Sequence, residues 1–232
     1  MEVFEVEGPF EVEVVEKLNR FVVLVRREGR LLRAHNTNTG RLRDLLLPGR
    51  RAYCLPKSGQ KTDCRLFAVE EREGFAVIDT ALQMRAFEFF QKAGLIPWLS
   101  PERWQLKGRN RRVGNSLIDY LFEDPSGKRL LLEVKSAAMR LEGDFGGYPD
   151  CPTERGRKHL RELLSLPDRG GVLFIVALPR VKGFRPFCAG DPEICSLLKE
   201  AKRRGLLLRA ISLHFVPERG VVLENPDLPV EV

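Results

Sequence analysis

The sequence predicts an α+β protein of two domains, a β-barrel over residues 1–79 and an α/β domain over residues 80–232. Two observations carry this prediction. Several short stretches of alternating or apolar residues, separated by turn residues, fill the first part of the chain. A helical pattern then begins at Thr80, and strands and helices alternate beyond it. With 232 residues, the chain is long enough for two modest cores.

The N-terminal stretches supply short strands with turn residues between them. The stretches read FEVEVVEK, RFVVLVRR, GRLLRAHN, LLLPGRRAYCLPK and RLFAVEEREGFAVID. The first alternates clearly, and Glu28-Gly29 supplies the turn between the second and the third. Several short strands in one small region predict a barrel, and an OB-like barrel is the commonest of these to bind nucleic acids.

The positive charge of the chain is concentrated in the barrel. The whole chain carries a net +7, whereas residues 17–65 hold 13 Lys or Arg and three acids, a net +10. A local field of this kind attracts polyanions, so DNA is the expected partner. The expected contacts flank turns rather than lie in apolar runs, and they are Arg41, Arg43, Arg50 and Arg51. A solvated, arginine-rich surface is the alternative.

The segment HNTNTGRLRDLL at 35–46 permits two interpretations. In the first, Thr39 caps a short helix that follows a tight turn. In the second, a polar loop presents Asn38, Arg41 and Arg43, together with main-chain N–H groups, to a phosphate.

The C-terminal domain begins with a helix over 80–93, for which Thr80 is the expected N-cap and which Gly94 and Pro97 end. The glycine-rich piece at 142–152 is the longest predicted loop. The remaining predicted elements are a hairpin at 117–136, helices at 154–166 and 192–204, and strands at 171–178, 206–216 and 220–224.

Several classes of protein are excluded by composition. The acidic N-terminus has no apolar core and is no signal peptide, and the longest apolar run, 172–178, is too short to span a bilayer. The sequence therefore predicts a cytoplasmic protein without a membrane partner. Its five cysteines include no C-x-x-C pair and do not cluster with histidines, so we expect free thiols, with neither a disulfide framework nor a zinc site.

The hairpin LIDYLFEDPSGKRLLLEVKS at 117–136 carries charges inside an apolar run. A three-residue loop, Pro125-Ser126-Gly127, places Glu123 opposite Arg129 and leaves one face wholly apolar. On the other face this register sets Asp119 opposite Glu133, with Lys135 two residues further on.

Two carboxylates that face each other repel, so this register predicts a cation between them. Asp119, Glu133 and the main-chain carbonyl of Val134 are oxygen ligands suited to Mg²⁺ or Mn²⁺. Lys135 alongside would orient a water for attack on phosphate, which makes Asp119, Glu133 and Lys135 the candidate catalytic residues. The alternative is a set of exposed charges, or a Glu133–Lys135 pair of little energy.

The same register carries an energetic expectation. Without a cation, repulsion should raise the pKa of at least one of the two carboxyls. Replacing Glu133 by glutamine should then leave the metal-free protein as stable as before.

Four segments are more specific than the rest: HNTNTGRLRDLLLPG at 35–49, GNSLIDY at 114–120, LLEVKSA at 131–137 and YPDCPTERGRKHLREL at 148–163. Together they resemble the sugar fermentation stimulation protein A family, in the family's order and over most of the chain. The resemblance implies an N-terminal OB-like domain and a C-terminal domain like the PD-(D/E)xK nucleases. It also implies DNA binding and a regulatory role in sugar utilisation, with Asp119 and Glu133 as metal ligands and Lys135 as the catalytic lysine.

Under the same resemblance, Arg155, Lys158 and His159 match a motif at the start of a helix. Thr153 is the expected N-cap there, and a helix N-terminus suits a phosphate. The acid that usually precedes the aspartate strand in the family is missing, since neither Glu88 nor Glu102 sits in register.

Three functions follow from these patterns and from the resemblance. The first is a DNA-binding protein with a nuclease-like metal site, for which the resemblance implies a regulatory role in sugar utilisation. The second is an active Mg²⁺- or Mn²⁺-dependent endonuclease or phosphodiesterase. The third is a protein-interaction scaffold whose basic face meets an acidic partner. Assays of DNA binding and of metal-dependent cleavage separate the three.

Overall fold

Alternating apolar side chains close five N-terminal strands into a barrel in the computed structural model, which describes residues 2–57, 61–166 and 170–232. A two-residue strand, β1 (Val3–Phe4), precedes them. The barrel strands are β2 (Phe10–Lys17), β3 (Val22–Arg27), β4 (Arg30–His35), β5 (Arg51–Pro56) and β6 (Cys64–Glu71). They follow the order β4-β3-β2-β5-β6, and a parallel pairing of β4 with β6 closes the ring.

The sheet of the barrel continues into the C-terminal domain. β7 (Gly74–Val77) pairs with β6 on one side and with β15 of the C-terminal domain on the other, so one sheet joins the two domains. The C-terminal strands are β8 (Gln105–Val113), β9 (Ser116–Glu123), β10 (Arg129–Ser136), β11 (Met139–Leu141), β12 (Phe145–Tyr148), β13 (Gly170–Val176), β14 (Gly183–Pro186), β15 (Leu207–Val216) and β16 (Gly220–Leu228). β11, β12 and β14 form a second, small sheet.

Helices cover both faces of the C-terminal sheet. They are α1 (Thr80–Lys92), α2 (Glu154–Leu164) and α3 (Pro192–Arg203), with a short 3-10 helix at Pro97–Leu99. α1 packs Phe87 and Phe90 into one core with Tyr120 of β9. α2 and α3 pack on a second core, which contains the buried strand β13. In the residues described, no helix reaches the length and hydrophobicity that crossing a bilayer requires.

The predicted hairpin register is observed. Glu123 pairs with Arg129 and Tyr120 with Leu132, and Gly127 closes the loop at a left-handed φ of 82°. The cap of α1 differs from the prediction. Asp79, rather than Thr80, accepts the N–H of Leu82 at 2.9 Å.

Five strands lie where none was predicted, namely β1, β8, β11, β12 and β14. β8 is an exposed edge strand whose sequence, QLKGRNRRV, carries no apolar alternation. β12 lies inside the predicted loop at 142–152, because two glycines hide its pattern. A side chain at Gly146 would meet Val176 Cγ1 at 2.2 Å, so close packing of this strand requires glycine.

The segment at 35–46 forms no helix in the structure. Leu42 adopts a left-handed φ of 50°, and only a single turn follows, in which Leu46 N–H bonds the Leu42 carbonyl at 2.9 Å. The expectation of free thiols is wrong for one pair. Cys188 and Cys195 form a disulfide, because the turn capped by Asp191 brings their Cα atoms to 5.5 Å.

Candidate functional site

Asp119 and Glu133 lie side by side where β9 and β10 separate. The last pair of the ladder is Tyr120 with Leu132. Beyond this pair, Asp119 Oδ2 accepts a hydrogen bond from the Val134 main-chain N–H at 2.8 Å, in place of a main-chain carbonyl. Both carboxylates line one cleft, on the face that the register predicts.

Glu133 is the most enclosed of the charged groups in this cleft, at 2% exposure. Its Oε1 accepts a hydrogen bond from Lys135 Nζ at 2.6 Å and contacts His159 Nδ1. Its Oε2 is buried and has no hydrogen-bond partner among the described residues. Oε1 therefore has two partners, whereas Oε2 has none among the described residues and could accept a ligand.

The pKa values of these groups diverge. Burial, and then the charge of Glu133, raise the pKa of Asp119 to about 6. Burial opposes ionisation of Glu133, but the charge of Lys135 and the contact with His159 outweigh it and hold its pKa below the ordinary value. Burial would lower the pKa of Lys135, but the charge of Glu133 raises it. Lys135 is therefore an ammonium paired with Glu133, while Asp119 titrates close to neutrality.

Both domains build the walls of the cleft, which encloses about 600 Å³. The barrel contributes Arg20 and the loop at 37–40, and α1 contributes Gln83. The opposite wall comes from the segment at 147–156.

The barrel loop is fixed to the C-terminal domain by polar contacts. Leu42 N–H bonds Asp150 Oδ2 at 3.1 Å, and Thr37 Oγ1 accepts the N–H of Thr80 at 3.2 Å. Gly40 lies so close to Asp150 that a Cβ would stand 2.7 Å from its Oδ2. Lys17 Nζ bonds the carbonyl of Gly40 at 3.1 Å and holds the loop from the barrel side. These contacts hold the loop as one wall of the cleft.

α2 begins at the other wall. Thr153 is its N-cap, as predicted, and accepts the N–H of Gly156 at 3.1 Å. Asp191 accepts the N–H of Thr153 at 2.9 Å and the Nε of Arg157 at 3.0 Å, which fixes the start of the helix from α3. Arg155 is exposed and lines the cleft beside this N-terminus.

The residues of the cleft fit a hard divalent cation. Asp119, Glu133 and Val134 all line the cleft, and Glu133 Oε2 has no partner among the described residues. Two carboxylates and a main-chain carbonyl are the oxygen ligands that such a cation prefers. The described residues contain no cluster of three or more His, Cys, Asp or Glu with metal-holding geometry, so water or substrate oxygens would complete the shell. Glu88, one of the two acids considered for the missing position, bonds Tyr120 and Arg109 instead.

Comparison with known proteins identifies the family of this chain. One family model, the Sugar fermentation stimulation protein RE domain, matches residues 81–219. A second, the SfsA N-terminal OB domain, matches residues 15–78. The chain belongs to the sugar fermentation stimulation protein family. The predicted fold class, an OB-like barrel with an α/β domain behind it, is confirmed.

Relatives match over the whole length. The chain is 43% identical over 235 residues to the sugar fermentation stimulation protein homologue of Pyrococcus furiosus, covering 100% of both. It is 43% identical over 234 residues to that of Archaeoglobus fulgidus, again with 100% of both covered. A solved structure of Pyrococcus furiosus SfsA in complex with Ca²⁺ superposes with a TM-score of 0.94 at 42% identity, covering 100% of both chains.

The predicted basic contacts of this family member fall into two groups. Arg41 and Arg43 are exposed, form no ion pair within the described residues, and line a second cavity of about 590 Å³ that adjoins the cleft. Arg50 lines the same cavity but bonds the carbonyl of Glu70 at 3.1 Å. Arg51 pairs with the Glu70 carboxylate at 2.6 Å.

Three predicted DNA contacts bond other groups of the protein. His159 is buried at 4% exposure against Glu133, so its role is that of a partner to this carboxylate rather than a surface contact. Asn38 is buried at 7% exposure, and its Oδ1 accepts the N–H of Gly40, which shapes the loop. Lys158 is exposed, but its Nζ bonds the carbonyl of Asn115 at 2.8 Å.

The structure adds three residues that sequence reasoning missed. Ser136 Oγ accepts Gln83 Nε2 at 2.9 Å, which ties α1 to the strand that carries Glu133. Gln83 is a glutamine among the apolar residues of one helix face, and this pattern is the signal that could have marked it. Arg20 lines the cleft from the barrel, and no local pattern in the sequence marks it.

Proposed function

We propose that this protein binds DNA and hydrolyses phosphodiester bonds with a divalent cation held by Asp119, Glu133 and the main-chain carbonyl of Val134. The observation that carries the proposal is Glu133 Oε2, a buried carboxylate oxygen without a partner among the described residues, beside an acid whose pKa is raised. A divalent cation would satisfy that oxygen and relieve the repulsion between the two carboxylates. The Ca²⁺ complex of the Pyrococcus furiosus relative supports a divalent cation in this fold.

The bound cation would activate a water and stabilise charge on the phosphate. The residues of the chain prepare this chemistry. Asp119, anchored to Val134 N–H, and Glu133, anchored to His159, hold their oxygens in fixed positions. Lys135 enters as an ammonium, so it donates hydrogen bonds to the attacking water or to the phosphate rather than removing a proton. Arg155 at the cleft wall would bind a neighbouring phosphate.

The DNA-binding part of the proposal rests on charge. Arg41 and Arg43 are exposed and unpaired in the described chain, and their cavity adjoins the cleft. A DNA backbone along these arginines would lead to the carboxylates.

The decisive experiment compares the parent with Asp119→Asn in Mn²⁺ titration calorimetry and in cleavage of labelled DNA with Mg²⁺ or Mn²⁺. Glu123→Gln is the matched control, since it removes a carboxylate of the same hairpin that pairs with Arg129 outside the cleft. We expect Mn²⁺ binding and cleavage in the parent and control. Asp119→Asn should lose more than about 10-fold in metal affinity, together with cleavage. A parent that binds no Mn²⁺, Mg²⁺ or Ca²⁺ refutes the metal site.

A DNA-binding regulator without turnover is the second candidate. One observation favours it: among the described residues no group of three or more His, Cys, Asp or Glu side chains lies close enough together to hold a metal, and Glu88 is engaged by Tyr120 and Arg109. Metal and DNA binding without cleavage would select this candidate. An interaction scaffold for an acidic protein would bind neither metal nor DNA in these assays.

A further inference from the structure

A basic groove runs along the barrel wall and encloses about 620 Å³. Its lining includes the aromatic ring of Phe21, which is 50% exposed, and four basic side chains, namely Arg33, His35, Lys57 and Lys61. Burial, and then the charge of Lys57, lower the pKa of His35, so the other three carry the positive charge. Asp63 accepts the main-chain N–H of Arg33 at 2.7 Å and is the acid beside the groove.

The turn that carries Phe21 is held rigidly. Asn19 Oδ1 accepts the N–H groups of Phe21 at 2.9 Å and of Val22 at 3.0 Å. Asn36, which is fully buried, donates its main-chain N–H to the Phe21 carbonyl at 2.8 Å. An exposed aromatic ring on a fixed turn costs little ordering when a flat group stacks on it.

The groove adjoins the cleft at this turn. Arg20 lines the cleft, while Phe21, the next residue, lines the groove, and the Arg20 guanidinium lies 5.7 Å from the Phe21 ring centre. Asn36 Nδ2 bonds the carbonyls of Arg20 at 3.1 Å and of Asn38 at 2.8 Å. The same buried amide therefore fixes the stacking turn and the barrel loop that walls the cleft.

The cleft that contains Glu133 lies next to the groove and is small. A volume of about 600 Å³ is that of pockets which enclose a drug-sized ligand, and the fixed barrel loop bounds it. A single strand, whose bases are unpaired, can bring its backbone to the carboxylates while its bases remain available for stacking. A positively charged groove that contains an exposed aromatic side chain is also the arrangement that binds single strands without sequence preference.

We infer that the DNA this protein takes is single-stranded. The backbone follows Arg33, Lys57 and Lys61, a base stacks on Phe21, and the strand passes Arg20 into the cleft. This inference rests on the proposed DNA binding and names its substrate class.

The test measures binding of a labelled DNA of about 20 nucleotides, as a single strand and as a duplex, to the full chain at one salt concentration in EDTA. We expect the single strand to bind at least about 10-fold more tightly than the duplex. Phe21→Ala should weaken single-strand binding about 5- to 100-fold with little effect on duplex binding, whereas Phe21→Trp should retain it. Phe89→Ala is the matched control, because Phe89 is a part-exposed phenylalanine of α1 that lines neither cavity.

The outcomes separate the two proposals. Equal binding of single strand and duplex, or equal effects of Phe21→Ala and Phe89→Ala in proteins with parental melting temperatures, overturns the single-strand inference and leaves DNA binding intact. Failure to bind either form of DNA overturns the proposed function as well.

Discussion

Two ion pairs of the same length lie in opposite surroundings, one in the cleft and one on the barrel. In the cleft, Lys135 and Glu133 stand 2.6 Å apart with side chains 11% and 3% exposed. On the barrel, Arg51 and Glu70 also stand 2.6 Å apart, but their side chains are 56% and 32% exposed. Breaking the buried pair leaves an uncompensated charge out of water, whereas the exposed pair is worth about 0–1 kcal/mol.

The two pairs have the same N···O distance, so the difference between them lies in burial, and burial determines what each charged group can do. The barrel arginines stay hydrated and can exchange counterions for phosphates, so their action depends on salt. The cleft charges are shielded from salt and hold one another, so their action depends on pH and on a bound cation.

The largest effect is expected for Glu133→Gln. The change leaves the Lys135 ammonium and His159 without their carboxylate, and we expect the metal-free protein to lose about 3 kcal/mol of unfolding free energy. The expectation of no loss, drawn from the sequence, considered only the repulsion from Asp119. Urea unfolding in EDTA at neutral pH measures the change, with Glu70→Gln, expected to lose less than about 1 kcal/mol, as the exposed counterpart. Equal losses in the two variants would remove the distinction between the two regions.

Asp119→Asn should raise the unfolding free energy of the metal-free protein, whereas Glu133→Gln should lower it. In the folded protein the Asp119 pKa is raised to about 6, above the value near 3.9 of an unfolded chain. The folded state therefore holds this proton more tightly, and the parent loses stability as pH rises from about 4 to about 6. Asparagine keeps an oxygen for Val134 N–H and removes this loss.

Unfolding free energies at several pH values test this expectation. The gain of Asp119→Asn over the parent should be near zero at about pH 4 and grow to at most about 2–3 kcal/mol at about pH 7. A variant that is less stable than the parent at neutral pH would mean that the Asp119 charge is a structural partner.

The sequence predicted the hairpin of the site well but not its surroundings. Alternation and the three-residue loop fixed the register of β9 and β10, so the placement of Asp119 beside Glu133 followed from local rules. The contact of His159 with Glu133 joins elements 26 residues apart, and that of the 37–40 loop with Asp150 joins the two domains. Such contacts depend on tertiary packing, which no local period encodes. β8 and β12 were missed because arginines and glycines obscure their alternation.

The affinity for a divalent cation should depend on pH through the pKa of Asp119. Binding requires the ionised carboxylate, so protonated Asp119 must release its proton. We expect the apparent affinity for Mn²⁺ to rise about tenfold per pH unit below about pH 6 and to level off above about pH 7. Calorimetry in buffers of different ionisation enthalpy would detect the released proton. A pH-independent affinity between about pH 5 and pH 7 would place the cation away from Asp119.

The smallest effects per residue belong to the exposed arginines of the barrel. For about five phosphate contacts, the log–log slope of DNA affinity against salt should be about −4 to −5 for the duplex. Arg41→Gln with Arg43→Gln should make that slope shallower by about 2, because both guanidinium groups are free to meet phosphates. Arg51→Gln should change it much less, since Glu70 already neutralises Arg51.

Affinity measured at several salt concentrations separates these barrel variants, and Arg111→Gln with Arg112→Gln on the exposed edge strand β8 serves as the comparison. The barrel interpretation requires the double change at Arg41 and Arg43 to have the larger effect on the slope. If the β8 variant instead accounts for the loss while the barrel variant binds like the parent, the DNA lies along the edge of the C-terminal sheet. The exposed arginines of the barrel would then serve its hydration alone, and DNA binding would rest on the exposed arginines of β8.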